Sequence, residues 1–261
     1  MNKYFVVSDV HSFFDELMVA LNKKGFERDN PKHKIIVCGD LLDRGNGTVK
    51  VFEFAKEMAE QDRLIYIKGN HEQLLKDCVK EISMGKIPDM HHFSNGTVKT
   101  ICQFCGQNEW IIYNPSWRNE ILETMQPILD FIDEKCVNYM EFKNMILVHS
   151  WIPLIKKDNL PAYYTRGRKF EFNPDWRNAK QEDWDEATWG NPFDIAECGL
   201  NQTEKTIVFG HWHASTGWAK AKGRSEFGND AKFDPYYGDG IIAIDACTAY
   251  TGKVNCIVIE E

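Results

Sequence analysis

Ile35-Ile36-Val37-Cys38-Gly39-Asp40-Leu41-Leu42-Asp43-Arg44-Gly45 is the stretch on which the fold turns. Its first four residues form an apolar run of the length of a short buried strand. Gly39 breaks the run, and Asp40, Asp43 and Arg44 follow at once. An open α/β sheet binds its ligand beyond the carboxyl ends of its strands, where such charges would stand. Taken alone, the stretch is equally a polar turn with Asp43 paired to Arg44. Four further strand ends with the same kind of side chain decide for a site.

Working outward, Tyr4-Phe5-Val6-Val7-Ser8 predicts a first strand running into Asp9-Val10-His11. Asp and His two apart on an extended segment face the same side. Phe13 to Lys24 has a helical period and is closed by Gly25. Thr48 to Gln61 predicts a second helix, capped by Thr48. Leu64-Ile65-Tyr66-Ile67 is the third strand, ending in Lys68-Gly69-Asn70-His71-Glu72. Strand alternating with helix implies parallel pairing, which delivers all three strand ends to one edge.

From Glu72 to about Asp133 the pattern is helical, broken at Gly85, Pro88, Gly96, Gly106 and Pro115. Val137–Phe142 and Met145–Val148 predict a hairpin around Lys143-Asn144, its second strand ending in His149-Ser150. Thr206-Ile207-Val208-Phe209 is another buried strand, ending in Gly210-His211-Trp212-His213. Ile241–Ile244 and Val254–Ile259 predict an antiparallel pair around Gly252. With no repeat and no linker, one domain over 1–261 is expected. It carries a helical insertion at about 72–133 and an aromatic-rich irregular lobe at about 150–201.

Composition narrows the classes. A formal charge of −8 over 261 residues argues against a nucleic-acid-coating surface. No apolar run approaches membrane-spanning length, and the N-terminus enters a strand without a leader pattern. The eight cysteines are scattered, and most stand in or beside apolar runs, as reduced core residues of a cytoplasmic protein do. Cys102-Gln103-Phe104-Cys105 lacks a second ligand pair and is read as packing. His91-His92 is read as an exposed turn. Trp151, Tyr163, Tyr164, Phe170, Phe172, Trp176, Trp184 and Trp189, with Arg166, Arg168 and Arg177 among them, can stack on a base or grip phosphate. Packing of an irregular lobe is the favoured reading.

Collected, the strand ends supply Asp9, His11, Asp40, Asn70, His149, His211 and His213. Oxygen and imidazole donors without thiolates suit manganese, iron, zinc or cobalt. Seven donors suit two ions, with Asp40 on the central strand as the natural bridge. Two ions about 3.5–4 Å apart activate a shared water and clamp an in-line displacement at phosphorus. Arg44 supplies a bidentate hold on phosphate. His71, left free of metal, can protonate the leaving oxygen, with Asp43 fixing its tautomer.

Asp9-Val10-His11, Gly39 to Gly45, Gly69-Asn70-His71-Glu72, Val148-His149-Ser150 and Gly210-His211-Trp212-His213 stand in the order of the calcineurin-like metallophosphoesterases, which the chain resembles over nearly its whole length. The resemblance implies an α/β fold, an αββα sandwich of two mixed sheets flanked by helices, around a dinuclear centre of divalent or trivalent ions. Manganese is the first expectation, with iron, zinc, cobalt or nickel as others. It assigns Asp9, His11, Asp40 and His213 to one ion, and Asp40, Asn70, His149 and His211 to the other. It also implies phosphate binding by Arg44 and acid catalysis by the His71–Asp43 pair.

Asp-Arg-Gly and Asn-His-Glu look like the phosphoprotein phosphatase branch, as does Phe93-Ser94-Asn95-Gly96-Thr97 with Thr100 and Gly106. Val208 to Trp212 and Ile242 to Cys247 look closer to the diadenosine tetraphosphatases. His213 stands where many members of the branch lack a second histidine. The branch's second phosphate-binding arginine is missing after Thr188-Trp189, and spacing does not choose among Arg166, Arg168 and Arg177 as a substitute. The leading expectation is a phosphomonoesterase acting on phosphoserine or phosphothreonine. The alternative is symmetrical hydrolysis of diadenosine tetraphosphate to ADP. A non-catalytic binding module is a remote third.

Overall fold

The computed structural model describes residues 1–157, 170–200 and 203–261. Two five-stranded mixed sheets lie at its centre. The first has the order β12 (Cys256–Glu260), β1 (Lys3–Val7), β2 (His33–Cys38), β3 (Leu64–Ile67) and β4 (Cys136–Val137). β1 through β4 run parallel and β12 antiparallel to β1. The second sheet has the order β10 (Tyr236–Gly238), β11 (Ile241–Asp245), β9 (Thr206–His213), β6 (Met145–Leu147) and β5 (Met140–Phe142). A small ribbon pairs β7 (Ile155–Lys156) with β8 (Phe170–Glu171).

Strand periodicity builds the layers, because alternate side chains point to opposite faces. Val6, Ile36, Cys38 and Ile67 from the first sheet meet Leu147, Val208, Ile242 and Ile244 from the second in one buried cluster. Their neighbours Phe5, Val7, Ile35 and Val37 point the other way. There they pack on α1 (Phe14–Lys23), α2 (Thr48–Glu60), α3 (Asn70–Ser83), α4 (Met90–Ser94), α5 (Thr97–Phe104), α6 (Trp110–Tyr113) and α7 (Arg118–Lys135), the helices of that side. Ile146, Ile207, Phe209 and Ala243 cover the outer face of the second sheet. Trp151, Trp176, Trp184 and Phe193 lie on them, the last on α9 (Pro192–Glu197) and Trp184 on α8 (Gln181–Ala187). The result is the expected αββα sandwich.

Four expectations need correction. β11 and β12 are not a hairpin, since β11 pairs with β9 and β12 with β1, in different sheets. Both strands are apolar on both faces, so pattern alone could not choose a partner; a turn at α10 (Thr248–Thr251) and Gly252 at φ +62° carries the chain across. The hairpin around Lys143-Asn144 is real as β5–β6, but Val137 belongs to β4 in the other sheet. Gly47 rather than Thr48 is the N-cap of α2, and the Thr48 hydroxyl donates to Ser12 Oγ at 2.9 Å. His92 is not in an exposed turn. It is fully buried on α4, with neither ring nitrogen hydrogen-bonded, and Nε2 lies 3.8 Å from Glu81 Oε2.

Cys102 is buried in the helical-side core, and Cys105 packs against it. Arg166, Arg168, Tyr163 and Tyr164 lie outside the described residues. Arg177 is engaged away from the strand ends. It donates to both Glu141 carboxylate oxygens, at 2.6 and 3.1 Å, and lies 4.2 Å over the Trp176 ring. Exposed pairs of this kind contribute up to about 1 kcal/mol. Arg177→Ala is therefore expected to leave turnover unchanged and lower stability by no more than about that amount, read from denaturant melts beside an activity assay. A drop in activity at constant stability would restore Arg177 as a phosphate ligand.

Candidate active site

The strand ends meet as the parallel pairing requires. Asp9, His11, Asp40, Arg44, Asn70, His71, His211 and His213 line one cavity of about 150 Å³, joined by Asn95, Trp189, Asp245, Cys247 and Thr248. His149 lies against its floor, with Nε2 2.9 Å from Asn70 Oδ1. The backbone is bent to achieve this. Ten described non-glycine residues have positive φ, and eight of them are Asp9, His11, Ser12, Asp40, Asp43, Arg44, His211 and Cys247. Each costs of order 1–3 kcal/mol, and such strain collects where side chains must be aimed. Asp9 and His11 thus share the cavity through left-handed turns rather than through an extended strand, contrary to the simple period-2 expectation.

Asp40 sits between two imidazole groups. Its Oδ2 is 3.8 Å from His11 Nε2 and 3.8 Å from His71 Nε2, while Oδ1 is 3.4 Å from His149 Nε2. Ligand-capable atoms of His11, Asp40 and His71 form one compact group, and those of Asp40, His149 and His211 another. The carboxylate is thereby presented to two centres at once.

The rings are oriented from outside. His11 Nδ1 faces the Leu42 carbonyl at 3.1 Å, and His149 Nδ1 the Cys38 carbonyl at 2.8 Å. His211 is hydrogen-bonded to the Trp189 backbone. A carbonyl accepts the N–H of one nitrogen and leaves the other nitrogen's lone pair facing the cavity. His213 has no such anchor: its Nδ1 is unpartnered, 3.8 Å from Glu226 Oε1. It lines the cavity but joins neither compact group.

Two devices hold the loops. Glu72 accepts from the backbone N–H groups of Asp40, Leu41 and Gly69 at 3.1, 3.1 and 2.7 Å, and from Tyr66 Oη at 2.6 Å. It ties the second and third strand ends together. Gly39 has φ +78°, and a Cβ there would run into the His149 ring and Gly69. Asp43 is held as firmly. Its carboxylate accepts from Thr97 Oγ1 at 2.9 Å and Thr100 Oγ1 at 2.6 Å, and faces His71 Nδ1 at 2.7 Å. His71 Nε2 faces Arg44 Nη2 at 3.2 Å.

The electrostatics follow from burial. Burial, then Asp245 and Asp40, push the Asp9 carboxyl well above its usual range. Burial would raise Asp40 too, but the imidazoles of His149, His71, His11 and His211 outweigh it and hold its pKa low. Burial and its neighbour His149 depress His211 to about 3, and burial depresses His11, so these rings are neutral. His71 is the exception, because Asp40 and Asp43 overcome burial and raise its pKa. Burial and Asp245 push the Cys247 thiol up to about 12, so it faces the cavity neutral.

A pocket that gathers buried carboxylates and neutral imidazoles, with no thiolate donor, fits divalent oxygen- and nitrogen-preferring metals. Fold and site together define a two-sheet α/β sandwich with a pocket of metal-type donors at its strand ends. The model of the calcineurin-like phosphoesterases matches residues 3–215, and the chain belongs to that family. An asymmetrical bis(5'-nucleosyl)-tetraphosphatase of Anoxybacillus flavithermus is 34% identical over 74 residues, 26% of this chain and 30% of that protein. The chain thus matches only about a third of the length of such relatives. A symmetrical bis(5'-nucleosyl)-tetraphosphatase of Hamiltonella defensa is 23% identical over 240 residues, 82% of this chain and 84% of that one. A cold-active protein-tyrosine phosphatase of a psychrophilic Shewanella superposes with TM-score 0.51 at 16% identity, over 100% of this chain and 76% of its own. At that identity the likeness shows the fold.

Sequence reasoning missed Asp245 and Trp189 as cavity residues. Asp245 had a signal, since Ile241–Ile244 is an apolar run ending in a carboxylate, the pattern of Cys38-Gly39-Asp40. Trp189 had its place in Thr188-Trp189, where the resemblance sets a phosphate-binding segment. Among the described aromatics of the irregular lobe, Trp151, Trp176, Trp184 and Phe170 are buried packing.

Proposed function

We propose that this chain is one catalytic domain that hydrolyses phosphoesters with two metal ions. The observation that carries the reading is Asp40, whose two oxygens address two separate imidazole groups beside the Arg44–His71–Asp43 chain. Asp9, His11, Asp40 and His213 would hold one ion, and Asp40, Asn70, His149 and His211 the other. Bound there, the ions would supply charge to the phosphate oxygens and an activated water for in-line displacement. Arg44, exposed at the rim, grips the oxygens that do not react. His71 gives its proton to the leaving oxygen, and Asp43 positions the ring.

The small polar cavity accepts a phosphoryl group and leaves the remainder of the substrate outside, which favours a phosphomonoester such as phosphoserine or phosphothreonine. Dinucleoside tetraphosphate is the second reading, supported by what the similar proteins are named for. Manganese is the metal of first choice. Among the described residues no helix is long and apolar enough to cross a membrane.

Manganese-loaded protein, incubated separately with a phosphothreonine peptide and with diadenosine tetraphosphate, tests the assignment. Phosphate from the peptide with the dinucleotide intact supports the first reading. ADP as sole nucleotide product supports the second and overturns the first. No turnover of either, with two ions bound, overturns both substrate assignments.

A further inference from the structure

Asp245 ends β11 and is aligned with His213 of the parallel neighbour β9. The alignment is unusual. Ala243 pairs with Phe209, yet two residues later Asp245 pairs with His213, so β9 carries two extra residues at Gly210-His211-Trp212. A bulge re-aims side chains that a regular strand would place on one face. His211, at φ +62°, turns toward Asp40 and His149, and His213 stays in register with Asp245. Asp245 is 4% exposed and shares the cavity wall with Asp9, His11 and His213. Its Oδ1 accepts from the Cys247 backbone N–H at 2.6 Å. Among the described residues nothing donates to its second oxygen.

A buried carboxylate with a free oxygen, beside two further buried carboxylates, calls for a cation. We propose that Asp245 is a direct ligand of the ion assigned to Asp9, His11, Asp40 and His213. The inference rests on the dinuclear reading above and extends it. The two sites are then chemically unequal. The first offers three carboxylates and two imidazoles, the second one carboxylate, one amide and two imidazoles. A site richer in anionic oxygen holds a hard cation such as manganese more tightly. His213, whose ring has no outer anchor of its own, would have its ring oriented by the ion it shares with Asp245.

The competing role for Asp245 is a turn that fixes Cys247. Asp245→Asn separates the two, because the amide oxygen still accepts from the Cys247 N–H while the charged ligand is gone. Chelator-stripped chains of residues 1–261 are titrated with manganese by calorimetry, and the loaded proteins are examined by electron paramagnetic resonance. Wild type is expected to bind two ions, the first more tightly, and to show a spin-coupled signal. The Asn variant is expected to bind one of them at least about a hundredfold more weakly, beyond the upper end of what loss of an outer-sphere partner costs. Its signal becomes that of isolated manganese. Two ions at wild-type affinity with the coupled signal intact would overturn the assignment and leave Asp245 as a turn residue. Fewer than two ions in wild type would overturn the dinuclear reading itself. Should the Asn chain not fold, Asp245→Ser keeps an acceptor for Cys247 and carries the same expectation.

Discussion

Asp40→Ala is expected to abolish the binding of both ions and lower turnover by at least about 10³-fold. Asp40 is the residue that presents oxygen to both imidazole groups, at 3.4 Å on one side and 3.8 Å on the other. Removing a peripheral ligand would weaken one ion; removing the shared one weakens two. Metal charge on the phosphoryl oxygens is worth several kcal/mol, and each 1.4 kcal/mol or so is a tenfold change in rate. The loss also shows in stability. A ligand at a hundred times its dissociation constant stabilises the folded state by about 2.7 kcal/mol, roughly 5–10 °C for a chain of this size. Wild type should gain that shift on adding manganese, and the variant should gain none. A variant that still shows one full binding event in calorimetry would mean that Asp40 serves a single ion.

What the sequence disclosed depended on which interactions are local. The central strand and its charged end were legible, because an apolar run, a glycine and two aspartates lie in one short stretch. The layers were legible for the same reason: Phe5 and Val7 against Val6, and Ile207 and Phe209 against Val208, sort to opposite faces by period alone. Pairing between distant strands was not. β12 is apolar on both faces and closes against β1, a partner some 250 positions away that no local pattern names. The bulge in β9 was equally hidden. Glycine followed by His-Trp-His reads as a strand end, and only the register against β11 shows that His211 and His213 part company.

Buried charge was the other blind point. Glu72 looked like one more group at a strand end, yet it accepts four hydrogen bonds and acts as a clasp for the loops. Arg177 stood among aromatics as a candidate phosphate ligand, and Glu141 and Trp176 occupy it. Side chains that position others are recognised by their partners, and a linear sequence does not show partners.

His71→Asn is expected to lower turnover of an alkyl phosphoester by about 10²–10⁴-fold while both ions stay bound, the range of a lost general acid. His71 has two possible employments. Its Nε2 is 3.8 Å from Asp40 Oδ2, in the same compact group as His11, so it is placed well enough to be a metal ligand. Its other nitrogen faces Asp43 at 2.7 Å, and Nε2 also faces Arg44 at 3.2 Å, the side on which phosphate would be gripped. An acid and a ligand fail differently. A lost acid matters when the leaving oxygen needs a proton, and hardly at all for a nitrophenolate that departs without one. The acid role therefore predicts a loss with p-nitrophenyl phosphate smaller than about tenfold, with metal content still at two per chain. A ligand role predicts equal losses on both substrates and the departure of an ion. Asp43→Asn sharpens the contrast. Thr97 and Thr100 would still hold the side chain in place, but a carboxylate that raises the His71 pKa would be gone. The same dependence on leaving group should reappear with both ions bound. If it does not, His71 belongs to the metal rather than to the proton.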